Sequence, residues 1–105
     1  MTRPIHIEML AQTLAYLENN PKKYCKEDFA LQEDGRTECS PVHAKAHYRC
    51  AAGTLHYICH QNGARFRNVV DRLPPTVPLA LEFNGTFRGR LAAIRYLKRI
   101  IPKLS

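Results

Sequence analysis

The chain has 105 residues, 45% of them hydrophobic, with 16 lysines and arginines against nine acids and a net charge of +7. That length holds one domain with an ordinary globular core, and no stretch approaches the roughly 20 apolar residues of a membrane span. Met1-Thr2-Arg3-Pro4 leads into an amphipathic stretch rather than the apolar run of a secretory signal, so the expectation is a cytoplasmic, single-domain protein over residues 1–105 whose four cysteines are thiols.

Pro4 suits the first turn of a helix, with Thr2 or Arg3 before it as the cap. Ile7, Leu10, Leu14 and Leu17 then repeat at helical spacing until Asn19-Asn20-Pro21, which predicts an amphipathic first helix. Further on, Phe29-Ala30-Leu31 and Thr37-Glu38-Cys39 flank Glu33-Asp34-Gly35-Arg36. Asp-Gly is a strong turn signal because glycine tolerates a positive φ, so a small β-hairpin is expected there. Glu27, Asp28, Glu33, Asp34 and Glu38 gather in the same stretch, making the surface an electric dipole rather than a uniformly basic ball.

Ser40-Pro41 reads as an N-cap and first-turn proline, and Asn62-Gly63 as a stop, which predicts a second helix over residues 41–61. Tyr48, Ala51, Ala52, Leu55, Ile58 and Cys59 would form its core face. Ala51-Ala52-Gly53 would let another helix approach closely, making this the central helix. Residues 66–73 read as a short third helix, closed by the stiff connection Pro74-Pro75-Thr76-Val77-Pro78, while residues 78–83 carry no decisive pattern. Asn84 or Thr86 then caps a final helix ending near Pro102. The expected architecture is mainly α: a single small domain of three to four helices around a central helix, with a minor β-hairpin, helix one and the last helix packing on helix two.

The final segment holds most of the net charge. From residue 86 onward the chain carries Arg88, Arg90, Arg95, Lys98, Arg99 and Lys103 and no acid. On a continuous helix Arg88, Arg95, Arg99 and Lys103 fall on one stripe, beside an apolar stripe of Phe87, Leu91, Ile94, Leu97 and Ile101. Tyr96 would add an exposed aromatic contact, and Arg65, Arg67 and Arg72 could extend the basic surface. Arginine beside tyrosine is a hot-spot composition, so the leading reading is a non-enzymatic accessory or regulatory protein docking its basic helix on an acidic protein surface. The alternative is contact with a nucleic-acid phosphate backbone through the same face, although no helix-turn-helix, zinc-finger or RNP-like pattern accompanies the charge.

Two chemistries compete with plain packing for the histidines and cysteines. On a helix over residues 41–61, His43, His47 and Cys50 would share a stripe, and with Cys39 or Cys25 they could hold a structural Zn²⁺, a third reading as a zinc-stapled domain. Neither Cys-x-x-Cys nor His-Glu-x-x-His occurs, and Cys50 and Cys59 read first as small core residues. A Cys50 thiolate beside His47 would be a nucleophile, but no loop presents it. With no glycine-rich phosphate loop, Gly-x-Ser-x-Gly elbow or carboxylate dyad, neither an enzyme nor a bound cofactor is expected.

Asp34-Gly35-Arg36, Cys50-Ala51-Ala52-Gly53-Thr54-Leu55 and Phe83-Asn84-Gly85 together resemble a small uncharacterised helical domain family of phages and bacteria, in which an Asp-Gly-Arg turn, a Cys-x-x-Gly-x-Leu helix start and a Phe/Trp-Asn-Asp step recur. The chain departs from that pattern at Gly85, where Asp is preferred, and at Thr54, where Ala is usual. The resemblance implies a compact, mainly helical fold and a phage or prophage origin, and carries no activity with it. In it Gly53 would be a close-packing position and Asn84 a helix cap.

Overall fold

The computed structural model describes residues 3–105. Helix α1 spans Ile5–Asn19 and starts at the sequence-expected place: Pro4 sits just outside the helix, its carbonyl accepting from the Ile7 and Glu8 amides. Thr2, the earlier capping candidate, lies outside the described residues. The helix buries Ile7, Leu10 and Leu17 with Met9 and Thr13, whose hydroxyl donates to the Met9 carbonyl at 2.7 Å. Its end at Asn20 feeds a single 3-10 turn, Pro21–Lys23.

The Asp-Gly turn is present. Gly35 has φ of +72°, and Asp34 Oδ1 accepts from the Arg36 and Thr37 amides, each at 2.9 Å. The Thr37 hydroxyl, which donates to Asp34 Oδ2, and then these two amides favour the ionised carboxylate and hold its pKa below the usual range. The two arms of the turn meet only in a bridge between Leu31 and Glu38. Regular pairing goes elsewhere: strand β1 (Ala30–Leu31) is antiparallel to strand β2 (Tyr48–Arg49), with Ala30 opposite Arg49 and Leu31 opposite Tyr48.

That pairing corrects the expected second helix. Residues 41–47 form turns rather than helix, and α2 covers only Ala51–Gln61. The His47 amide donates to the Leu31 carbonyl and the Cys50 amide to the Phe29 carbonyl, so these backbone donors are committed to the ladder before α2 begins. Cys50 is the N-cap, its sulfur accepting from the Gly53 amide at 3.3 Å. The close approach at Gly53 is made by the Phe29 backbone just before β1 and not by another helix: a Cβ there would lie 2.0 Å from the Phe29 carbonyl oxygen.

Helix α3 (Phe66–Asp71) follows, and then α4 (Thr76–Phe83), where a stiff proline connection was expected. Pro74 and Pro75 precede α4 and Pro78 lies in its first turn, positions where a missing amide breaks no intrahelical hydrogen bond. Among the described residues five α-helices therefore stand where three to four were expected. A π-helical turn, Asn84–Arg88, and Gly89 at φ +94° separate α4 from α5 (Arg90–Leu104). Helices α2 and α5 both pack on α1, while α2 also meets α3 and α4, so the last helix packs mainly on α1 and not, as expected, on α2. One core joins them through Leu10, Leu55, Leu81 and Leu97, all essentially inaccessible. Among the described residues no helix is long and apolar enough to cross a membrane.

Candidate functional site

The expected basic stripe assumed a helix running unbroken through residue 88. Instead the π turn ends when the Gly89 amide donates to the Asn84 carbonyl at 2.7 Å, and α5 starts afresh at Arg90. Gly89 carries a φ that other residues rarely adopt, which lets the chain change direction in one residue. Arg88 is thus off the α5 axis, and yet the turn brings it back beside the helix. Asn84 and Arg88 from the turn, with Ala92, Arg95, Tyr96 and Arg99 from α5, line one open recess of about 290 Å³. Of the eight expected contact residues the structure brings four together: Arg88, Arg95, Tyr96 and Arg99.

Their roles differ from the expectation in one respect. Tyr96 is 8% exposed, a wall of the recess and part of the core rather than a protruding anchor. Burial raises its phenol pKa, with Arg99 opposing the shift, and the Arg99 guanidinium lies 5.6 Å from the ring centroid in cation–π range. Arg95 donates only a long 3.4 Å hydrogen bond from Nε to the Leu91 carbonyl. The one ion pair among the described residues, Lys98 to Glu18 at 3.2 Å, lies outside the recess, and Arg90 is committed to the Leu17 carbonyl at 2.8 Å. Arg88, Arg95 and Arg99 face one space with no carboxylate partner.

An apolar ridge borders them. Phe83 and Phe87 are 53% and 70% exposed, and their ring centroids lie 5.4 Å apart. Leu91, one turn before Arg95, is 58% exposed, so the expected apolar stripe divides: Phe87 and Leu91 face outward, whereas Ile94, Leu97 and Ile101 enter the core. The remaining expected contacts lie apart. Arg65 and Arg72 border a separate space with Ile5 and Val69, while Arg67 on α3 and Lys103 in the last turn of α5 are exposed and line neither recess.

No family model matches the chain, and no curated protein or solved structure matches it either. Function must therefore be argued from these side chains.

The metal and thiol candidates are rearranged by the late start of α2. His43 and His47 sit in turns, Cys50 is 2% exposed at the helix cap, and Cys39 lies beside Glu38 on the far arm of the Asp-Gly turn. Among the described residues no three histidine, cysteine or acidic side chains come together in a metal-holding arrangement, so His43, His47, Cys50 and Cys39 do not form the imagined ligand set. All four cysteines are free. Burial raises the Cys50 thiol pKa and holds Cys25 up at about 12, with Cys50 and Asp28 adding to the latter, which is the opposite of nucleophile activation.

Sequence reasoning missed two features. The sequence suggests Asn84 as a helix cap, whereas its place in the recess depends on a π turn that no local motif announces. The sequence alone gives Arg49 no role beyond its charge. It is in fact buried on β2, and the only sequence signal was its position within an alternating Tyr48-Arg49-Cys50 step, masked by the helical pattern around it.

Proposed function

We propose that this chain is a non-enzymatic accessory or regulatory protein that docks an acidic protein partner on the face formed by the Asn84–Arg88 turn and α5. The observation that carries this reading is the convergence of Arg88, Arg95 and Arg99 on one recess without a counter-carboxylate, beside the exposed Phe83, Phe87 and Leu91. Arginines give a partner carboxylate a bidentate match, and the ridge gives it apolar area to bury, a combination typical of interface hot spots. Charge concentrated on one face also steers an acidic partner into encounter. A phage origin, the part of this reading that rests on the family resemblance alone, is consistent with a small dedicated adaptor.

Nucleic-acid contact is the second reading, favoured by the Phe83–Phe87 ring pair, on which unpaired bases could stack while the arginines take phosphates. The two separate by salt and substrate. Single-stranded and duplex nucleic acid titrated at 50 and 200 mM salt should show no specific, strongly salt-dependent binding if the protein-docking reading holds. Affinity capture after nuclease treatment should retain a partner that Arg95→Glu/Arg99→Glu loses. Retention by that folded variant would remove the proposal.

A further inference from the structure

Arg49 is 6% exposed and its guanidinium has no acid within ion-pair distance among the described residues. A buried charge without a counter-ion is expensive, so its surroundings must supply both a reason and a partial remedy. The remedy is visible: Nε donates to the Pro41 carbonyl at 2.7 Å, Nη1 donates to the Tyr16 hydroxyl at 3.4 Å, and the guanidinium carbon lies 3.7 Å over the centroid of the Tyr57 ring. These contacts fix the fork in place from the Pro41 turn, α1 and α2 without neutralising it. Nη2 has no hydrogen-bond acceptor among the described residues and is not sealed from the space in front of it.

The reason lies in front of it. Arg49 borders a cavity of about 370 Å³ lined also by Lys23, His43, His47, His60 and Tyr16, with no acidic side chain in its wall. The Lys45 amide donates to His43 Nδ1 at 3.0 Å, which leaves Nε2 as the protonated, donating nitrogen of that ring. Five different stretches of chain thus bring cationic or donor groups to one space: Lys23 from the 3-10 turn, Tyr16 from α1, His43 and His47 from the turns after Pro41, Arg49 from β2 and His60 from α2.

We infer that this cavity is an anion-binding site, anchored by Arg49, for the phosphoryl group of a small phosphorylated molecule. A carboxylate offers two oxygens in one plane, whereas a tetrahedral phosphoryl group presents three in different directions and so matches the Nη donors that Arg49 keeps free, a lysine point charge and imidazole donors arriving from different elements. The volume suits a ligand of nucleotide-monophosphate or sugar-phosphate size. Tyr16 and Tyr57, in edge contact at 5.8 Å between centroids, provide the aromatic wall. The site shares no residue with the α5 recess and stands or falls separately from the docking proposal.

The test is thermal denaturation and isothermal titration calorimetry of the full chain with inorganic phosphate, pyrophosphate and adenosine monophosphate, against sodium acetate and chloride at matched ionic strength. Four proteins are compared: the wild type, Arg49→Met, Lys23→Gln/His43→Gln, and Arg88→Gln/Arg95→Gln/Arg99→Gln. The inference predicts saturable binding and a raised melting temperature with the phosphate compounds but not with acetate. Lys23→Gln/His43→Gln, changed at exposed positions that leave the core intact, should bind about tenfold more weakly or worse with its ligand-free melting temperature unchanged. The triple arginine variant should bind as the wild type does. Arg49→Met should lose binding if it folds, and the Lys23/His43 variant decides the matter if it does not. Tighter binding of adenosine monophosphate than of phosphate would identify a nucleotide-like ligand, and the reverse order a free phosphate or pyrophosphate. Absence of any phosphate effect beyond chloride, or binding lost in the triple arginine variant and kept in Lys23→Gln/His43→Gln, would overturn the inference.

Discussion

Thr54 is fully buried in the second turn of α2, and its hydroxyl oxygen finds no hydrogen-bond partner. A helical threonine commonly donates to the carbonyl four residues back, as Thr13 does to Met9, but the Thr54 hydroxyl makes no such bond to Cys50. An unsatisfied buried hydroxyl costs stability that a methyl of the same shape would not. Thr54→Val should therefore stabilise the fold by about 1 kcal/mol in denaturant unfolding, and a loss of stability would show that the hydroxyl has a partner after all. The cysteines differ in the same local way. Cys25, Cys50 and Cys59 are buried, with Cys59 held up at about 11 by burial, whereas Cys39 is partly exposed. Thiol titration of the native protein at pH 8 should show one fast-reacting group, Cys39, and three that react only on unfolding. Fast modification of Cys50 would revive it as a nucleophile.

At the scale of elements, two glycines decide how the segments meet. Gly53 lets α2 start against the backbone just before β1, and its missing side chain leaves room for the Phe29 carbonyl. Gly53→Ala should cost about 3 kcal/mol despite alanine's better helix propensity, because a backbone carbonyl cannot swing aside as a side chain can. Gly89 joins the π turn to α5 at φ +94° and ψ −176°, a conformation that costs other residues about 1–3 kcal/mol. Gly89→Ala should lower the melting temperature by several degrees and, by moving Arg88 away from Arg95, weaken partner capture more than the stability loss explains. Unchanged capture would show that Arg88 is not part of the docking surface.

These elements also show what a sequence can reveal. Helix α1 was legible because Pro4 and Asn19-Asn20-Pro21 frame a clean apolar period whose burial is decided within the helix itself. The Asp34-Gly35 turn was legible for the same local reason. The stretch from Ser40 to Cys50 was not: Ser40-Pro41 imitates a helix cap and Ala44-Lys45-Ala46 are good helix formers. Its true state is set by backbone bonds to Phe29 and Leu31, many residues away. The same long-range choice dispersed the His43–His47–Cys50 stripe and buried Arg49, so both the false metal candidate and the missed anion cavity share one cause. In α4, the prolines were read as barriers, although all of them fall where a helix start tolerates them. On α5 the charges were legible and the outward turn of Phe87 and Leu91 was not, because the break at Gly89 resets the helical phase.

For the molecule as a whole, the acids of residues 27–38 and the cations beyond residue 86 are oppositely charged segments of a strongly basic chain, with a net charge of +7. Exposed charge of this kind acts over about 8 Å at physiological salt, so docking through the α5 face should slow in onset as salt rises, while the apolar ridge limits the loss of affinity. Charge steering with partial apolar anchoring distinguishes protein docking from phosphate-backbone binding, whose affinity falls steeply with salt. The measurement that tests the account most directly is quantitative capture of the protein's partner from nuclease-treated extracts by the wild type, Arg95→Glu/Arg99→Glu and Phe83→Ser/Phe87→Ser. Since all four side chains are exposed, circular dichroism and melting should be unchanged. The account predicts an acidic protein held by the wild type and reduced at least tenfold in both variants. An equal yield of that protein from the charge-reversed variant would contradict it.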